Sequence, residues 1–128
     1  MRTRSEQAKA NKRKGKQGEQ QVADILTDVL GVKIMRVPNS GAMRGIFDGD
    51  LMKRENKPTI IDNTILEVKN THNLPIKKWL KQVQSEMQDA NVKDFILFFK
   101  YEHKLYTITK IDYFQKLLKE AQNNLDKE

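Results

Sequence analysis

The chain has 128 residues, a formal net charge of +7 and no cysteine. This length suits one domain with one core, and the lack of cysteine excludes disulfides and thiolate zinc sites. No apolar run approaches the roughly 20 residues that span a bilayer, and the N-terminal residues lack the apolar centre of a signal peptide. We therefore expect a soluble cytoplasmic protein that has no membrane partner.

The positive charge is concentrated near the N-terminus, where residues 1–16 hold seven basic residues and one acid, Glu6. A basic arm is typical of proteins that contact a polyanion, most commonly nucleic acid, although it can also be a solubilising tail. Because residues 1–15 carry almost no large apolar side chains, we expect a flexible arm, or one that is helical only on contact with a partner, before a single domain of residues 16–124. The candidate DNA-binding residues of the arm are Arg2, Arg4, Lys12, Arg13, Lys14 and Lys16.

Apolar spacing predicts a first helix over residues 16–30. Its stripe recurs at intervals of three and four residues, and Gly31 suits a left-handed C-terminal position. Three strands are expected next, over residues 32–37, 50–54 and 60–69, with a turn-forming segment at residues 38–42. Short connections favour an antiparallel meander. The stripe of the helix consists of Val22, Ile25, Leu26, Val29 and Leu30.

The second half of the chain predicts a helix from Pro75 to about residue 90, a buried strand over residues 94–100 and an edge strand over residues 105–109. A last helix over residues 110–123 would begin with a capping box at Thr109 and present Ile111, Phe114, Leu117, Leu118 and Ala121 to the core. The order is α-β-β-β-α-β-β-α. The fold class is thus α/β, or α+β, with a central mixed sheet flanked by helices and a parallel crossover through the second helix.

Two charged residues stand one pleat apart on the third strand. Glu67 and Lys69 point to the same side of the strand, which is otherwise apolar. Burying an acid and a lysine is unfavourable unless they face a cleft, a metal or each other. They can form an ordinary ion pair, and Asp50 after Gly49 can be a turn residue. Our interpretation is that Asp50 joins them from the neighbouring strand.

Asp50 and Glu67 are suited to hold a divalent cation, because Mg²⁺ prefers oxygen ligands and takes one or two protein carboxylates. The backbone carbonyl of Val68 is a plausible third ligand. Such an ion assists phosphodiester hydrolysis by neutralising charge and activating water. Lys69 could orient or deprotonate the water, or stabilise the charge on phosphorus, and the sequence leaves these roles open.

The pattern Asp50…Glu67-Val68-Lys69 resembles that of the PD-(D/E)XK nuclease superfamily, and the predicted element order resembles its fold. The stretch Arg36-Val37-Pro38-Asn39-Ser40-Gly41-Ala42, followed by Gly49-Asp50-Leu51, is similar to archaeal and phage Holliday junction resolvases. Gly49 departs from this branch, in which proline is common before the metal aspartate.

The resemblance implies an Mg²⁺-dependent endonuclease, with Mn²⁺ as a substitute, that cuts four-way DNA junctions symmetrically as a homodimer; if a phage encodes it, it acts in the host cytoplasm. The alternatives are a nicking, flap or restriction-like nuclease of this fold, or a DNA-binding module without catalysis. Glu19, Ser40 and Gln82 match further catalytic positions of the superfamily, although Glu19 can be a solvated helix acid and Ser40 a turn residue. Expected DNA contacts outside the arm are Arg36, Asn39, Arg44 and Asn70.

Overall fold

The computed structural model describes residues 2–38 and 49–127, and the element order within these ranges is the predicted one. A mixed α/β fold is therefore confirmed. The helices are α1 (Arg4–Leu30), α2 (Ile76–Ala90) and α3 (Ile111–Asp126). The strands are β1 (Ile34–Arg36), β2 (Leu51–Lys53), β3 (Thr64–Lys69), β4 (Asp94–Tyr101) and β5 (Lys104–Ile108).

Helix α1 begins twelve residues earlier than predicted, so the basic segment expected to be a flexible arm is helical. A capping box fixes its start: the Glu6 N–H donates to the Thr3 hydroxyl at 3.1 Å, and the Thr3 N–H donates to the Glu6 carboxylate at 3.2 Å. The segment is also rich in Lys, Arg and Ala, which favour helix without apolar burial. The predicted boundary between residues 15 and 16 falls inside this helix, and the division into arm and domain stays a prediction.

Strand β3 lies at the centre of the molecule. It pairs in parallel with β4, which pairs antiparallel with β5, so the predicted parallel crossover through α2 is confirmed. Strands β1 and β2 form a separate antiparallel pair. A backbone bond from the Asp50 N–H to the Leu66 carbonyl, 2.8 Å long, ties this pair to β3. The expected three-strand meander is thus a two-strand ribbon tied to the edge of the sheet.

Strand β3 begins at Thr64 rather than at residue 60, because the residues before it form a turn. The Asp62 carboxylate accepts bonds from the backbone N–H and the hydroxyl of Thr59 and from Lys53 Nζ. Asn63 is left-handed, with φ of 59°. Asp and Asn both favour such local structure over a strand.

Side chains alternate across β3, and each face of the sheet has its own core. Leu66 and Val68 pack on the face that α1 and α3 cover, together with Val22, Ala23 and Tyr113. Ile65 points to the opposite face, where α2 supplies Trp79 and Val83. Glu67 shares the side of Ile65, and the strand therefore presents its buried acid to α2.

Helix α3 packs differently from the prediction. It buries Tyr113 and packs Leu117 against the core, whereas Ile111, Phe114 and Leu118 remain 66%, 47% and 54% exposed. The expected capping box at Thr109 is absent, because Lys110 is the N-cap and makes no side-chain capping bond. Among the described residues, no helix has the length and apolarity to cross a membrane.

Candidate active site at the end of strand β3

The backbone around Asp50 is fixed between two strands. Its N–H donates to Leu66 of β3, and its carbonyl accepts from the Val37 N–H at 2.9 Å. Gly49 allows this approach, since its φ is +89° and a Cβ there would lie 2.9 Å from the Leu66 carbonyl oxygen. Proline is held near φ −65° and cannot adopt this conformation. The glycine that departs from the resolvase pattern is therefore required by the way this chain delivers Asp50.

The Asp50 carboxylate faces β3. Its Oδ2 accepts a 2.7 Å hydrogen bond from the Val68 N–H, and the carboxylate also lies within hydrogen-bonding distance of Glu67. Burial raises the pKa of Asp50, while the hydrogen bonds to Val68 and Glu67 and the positive charge of Lys69 act in the opposite direction. The structure therefore places the carboxyl groups of Asp50 and Glu67 side by side.

Glu67 is the most deeply buried acid of the site, with 2% of its side chain exposed. Burial raises its pKa to about 11, with further contributions from a hydrogen bond to Glu86 and from the Asp50 charge. Without a cation, Glu67 is therefore protonated at neutral pH. A buried carboxyl in this setting is stabilised by a proton or by a positive charge placed beside it.

Lys69 is held by the helix that faces it. Its Nζ donates to Gln82 Oε1 at 2.7 Å and lies 3.8 Å from Glu67 Oε2. The lysine is thus primarily a partner of Gln82, and its contact with Glu67 is the longer of the two. The sequence placed Gln82 near the motif by resemblance, and the structure brings its amide directly to the lysine.

Glu86 is the site residue that the sequence reasoning missed. It lies one turn after Gln82 on α2, and its Oε1 accepts from Gln82 Nε2 at 3.1 Å. Its carboxyl faces that of Glu67, with which it shares a hydrogen bond when Glu67 is protonated, and its Oε2 is buried. The sequence indicates Glu86 only through its spacing. Gln82 and Glu86 are one helical turn apart and flank the face of α2 that buries Trp79 and Val83.

Glu19 approaches the same site from α1. Its Oε2 lies 3.3 Å from Arg36 Nε, and its side chain is 22% exposed. Burial raises the pKa of Glu19, repulsion by Asp50 adds to the rise, and Arg36 lowers it. Glu19 is therefore near Asp50 and is not a freely solvated acid, while Arg36, expected to contact DNA, is paired with it.

Only some of the expected DNA contacts lie close together. The Asn70 amide donates to the Lys14 carbonyl at 2.9 Å, so the residue after the Glu-X-Lys motif is bonded to the basic part of α1. Four others are exposed along α1: Arg4, Lys12, Arg13 and Lys16. Arg2 lies just before that helix. Ser40, Asn39 and Arg44 lie outside the described residues.

The part of the chain that the structure describes holds no group of three or more Asp, Glu or His side chains suited to surround a metal. Asp50 and Glu67 are instead two adjacent oxygen donors, beside the Val68 backbone. Two carboxylates meet the requirement of Mg²⁺, which keeps several waters. Glu86 faces Glu67 from α2.

A helix, a two-strand ribbon carrying an aspartate, and a central strand ending in Glu-X-Lys define the PD-(D/E)XK nuclease class. The chain matches the family described as "Phage putative PDDEXK endonuclease" over residues 10–127, and it belongs to that family. This membership indicates a nuclease. No curated protein and no solved structure matches the chain.

Proposed function

We propose that this protein is an Mg²⁺-dependent endonuclease that hydrolyses DNA phosphodiesters, with Mn²⁺ as a substitute. The observation that carries the proposal is the convergence of Asp50, Glu67 and Lys69 at the end of β3. All three residues match the Asp…Glu-X-Lys pattern of the superfamily. Asp50 is bonded to the Val68 N–H of β3, and Lys69 is bonded to Gln82 of α2.

The donor set suits a hard divalent cation. Asp50, Glu67 and the Val68 carbonyl would hold it, and when bound it would neutralise phosphate charge and lower the pKa of a water. The buried pair otherwise requires a proton between its carboxyls, and a third carboxyl, that of Glu86, faces Glu67 from α2. Excess negative charge in a dry site favours the uptake of a cation.

The protein groups align the remaining partners. The Val68 N–H fixes one oxygen of Asp50, and Gln82 fixes the ammonium of Lys69 on the side of Glu67. Lys69 then stabilises negative charge on the phosphate as water oxygen bonds to phosphorus in line with the bond that breaks. The 3′-oxygen leaves and takes a proton from solvent to become a hydroxyl, a 5′-phosphate results, and the proton of the attacking water passes to solvent.

The preferred substrate we propose is a four-way DNA junction, cut symmetrically by a homodimer. Two features support this choice: the resolvase-like stretch from Arg36 to Asp50, and the exposed Ile111, Phe114 and Leu118 on α3. An exposed apolar patch of this kind marks interaction surfaces. Two copies of the site would account for paired nicks.

The test is a cleavage assay in Mg²⁺ on a labelled four-way junction beside linear duplex, Y-fork and single strand of matching sequence. Paired nicks on the junction, absent in Asp50→Asn, would support the whole proposal. Cleavage of every substrate would support the chemistry and overturn the junction preference. DNA binding without cleavage in Mg²⁺ or Mn²⁺ would favour a non-catalytic module. Sedimentation of the wild type measures the dimer separately.

A further inference from the structure

Two adjoining cavities lie at the loop that follows strand β3, with volumes of about 500 and 490 Å³. Both are lined by Lys14, Asn70, Thr71 and His72. The first extends to the tip of the β4–β5 hairpin, and the second extends along the start of α1. We call the two together the basic groove.

The charge of the basic groove is mostly positive. Lys14 and Lys100 line the first cavity and Arg2 lines the second, against a single acid, Glu102. Both histidines of the chain, His72 and His103, line the first cavity. Lysine, arginine and histidine N–H groups are the donors that phosphate oxygens accept.

The backbone at the tip of the β4–β5 hairpin is strained. Glu102 and His103 have φ of 49° and 66°, so both central residues of this two-residue turn are left-handed. Turns of this type strongly prefer Asn-Gly, because other side chains are strained there. A strained residue that the surrounding fold retains is an indication of function. Here the strained His103 faces the groove.

We propose that the basic groove binds the sugar-phosphate backbone of nucleic acid on one side of the cleavage point. The groove begins at Asn70, directly after Lys69, so phosphates flanking the one at Lys69 would enter it. Successive phosphates of one strand are about 3.4 Å apart along the axis of a duplex. His72, His103, Lys14 and Lys100 would each donate to phosphate oxygens, without reading bases.

The geometry between α1 and this loop holds the groove in place. Gly18 is buried in the interior of α1, and a Cβ there would lie 2.9 Å from the Asn70 Cβ. Glycine is unfavourable inside a helix, but here it lets α1 approach Asn70 closely enough for the bond to the Lys14 carbonyl. The approach brings the basic side of α1 to the loop that leaves the active site.

The sharpest test uses two neighbouring substitutions at the hairpin tip. His103→Gly and Glu102→Asn both relieve left-handed strain, and each should raise the Tm by about 2–4 °C. Affinity for a fluorescent duplex and a four-way junction is then measured by anisotropy in EDTA. His103→Gly should bind about tenfold more weakly, because a donor to a charged phosphate is lost. Glu102→Asn, which removes an acid, should bind no more weakly than the wild type.

A second pair of variants separates the groove from net charge. Lys14→Gln with Lys100→Gln should make the plot of log affinity against log salt less steep by about 2. Lys116→Gln with Lys119→Gln removes the same charge from α3, outside both cavities, and should leave the slope nearly unchanged. Equal effects of the two pairs, or unchanged affinity in His103→Gly, would overturn the proposal.

This proposal rests on the proposed function only in taking nucleic acid as the ligand. Separate measurements can contradict the groove and the catalytic chemistry. Hydrolysis of bis(p-nitrophenyl) phosphate in Mn²⁺ measures the chemistry on a substrate too small to reach the groove. Groove variants should retain this hydrolysis. Normal DNA binding by these variants would overturn the groove alone, and weakened binding with no hydrolysis by the wild type would overturn the chemistry alone. Absence of DNA binding by the wild type would also overturn the groove.

Discussion

The end of β3 and the basic groove are neighbours along the chain, but their construction is opposite. At the end of β3 the acids are buried, the backbone of Asp50 is bonded on both sides, and Lys69 is held by Gln82. In the groove, Lys14, His72 and His103 are exposed, and a hydrogen bond from Asn70 to the Lys14 carbonyl joins the loop after β3 to α1. Bond cleavage requires fixed positions. Attraction of a charged polymer requires charge and tolerates mobile side chains. The difference predicts that substitutions in the two regions have separable effects.

The largest effect among backbone changes is expected at Gly49. Gly49→Ala must place a Cβ 2.9 Å from the Leu66 carbonyl oxygen at a φ of +89°, which displaces Asp50. We expect a loss of cleavage rate of roughly 10²-fold or more, as for a misplacement of about 1 Å. The measurement is the single-turnover cleavage rate in Mg²⁺.

Gly31→Ala is the matched control. Gly31 is also left-handed, at φ +67°, but nothing lies within 4 Å of its added Cβ. Both variants should lose about 1–2 kcal/mol of stability from strain, and only Gly49→Ala should lose cleavage beyond the effect of that strain. Equal cleavage rates in the two variants would contradict the role of Gly49.

Glu86→Gln tests the support of the site from α2. The change keeps size and shape but removes the charge behind Glu67, and partners behind metal ligands typically change affinity or activity by about 10–100-fold. We expect weaker Mn²⁺ binding by calorimetry together with slower cleavage. Glu120→Gln, an exposed acid on α3, is the control. Wild-type Mn²⁺ affinity in Glu86→Gln would show that Glu86 is only packed there.

The buried acids predict a pH dependence of stability in the absence of metal. The folded-state pKa of Glu67 is raised from 4.5 to about 11, so the folded state holds a proton that the unfolded chain has released between these values. Stability must therefore fall as pH rises above about 4.5, by up to about 1.4 kcal/mol per pH unit for one proton. The raised pKa values of Asp50 and Glu19 act in the same direction.

Urea unfolding in EDTA between pH 5 and pH 9 measures this slope. Glu67→Gln should flatten it and should be more stable than the wild type at high pH. Mg²⁺ should restore stability to the wild type at high pH and have little effect on Glu67→Gln. A slope that Glu67→Gln leaves unchanged would show that Glu67 does not carry the proton.

We expect the smallest effect on stability and DNA binding from the loss of the hydrogen bond between Asn70 and Lys14. Asn70→Ala removes the bond to the Lys14 carbonyl, and a neutral hydrogen bond of this kind contributes about 0.5–1.5 kcal/mol. We expect a small decrease in Tm and a modest loss of DNA affinity, with hydrolysis of bis(p-nitrophenyl) phosphate unchanged. A large loss of that hydrolysis would show that Asn70 belongs to the catalytic centre.

The sequence predicted what local periodicity determines. Strand alternation places Glu67 and Lys69 on one side, and the crossover through α2 follows from the length of the connection. It could not predict Glu86, because its position depends on how α2 packs over β3. The apolar pattern of α3 does not indicate which side is covered, so Phe114 and Leu118 were assigned to the core. The low apolar content of residues 1–15 predicts no helix there, whereas the Thr3–Glu6 capping box and good helix-forming residues stabilise one without apolar burial.

A pair of identical substitutions tests whether the Asp50 carboxylate takes part in catalysis. Single-turnover cleavage of labelled DNA in Mg²⁺ is compared for the wild type, Asp50→Asn and Asp62→Asn, the last altering an exposed turn acid bonded to Lys53 and Thr59. We expect Asp50→Asn to lose cleavage by at least roughly 10³-fold while binding DNA normally, and Asp62→Asn to cleave like the wild type. Cleavage by Asp50→Asn at the wild-type rate would contradict the site.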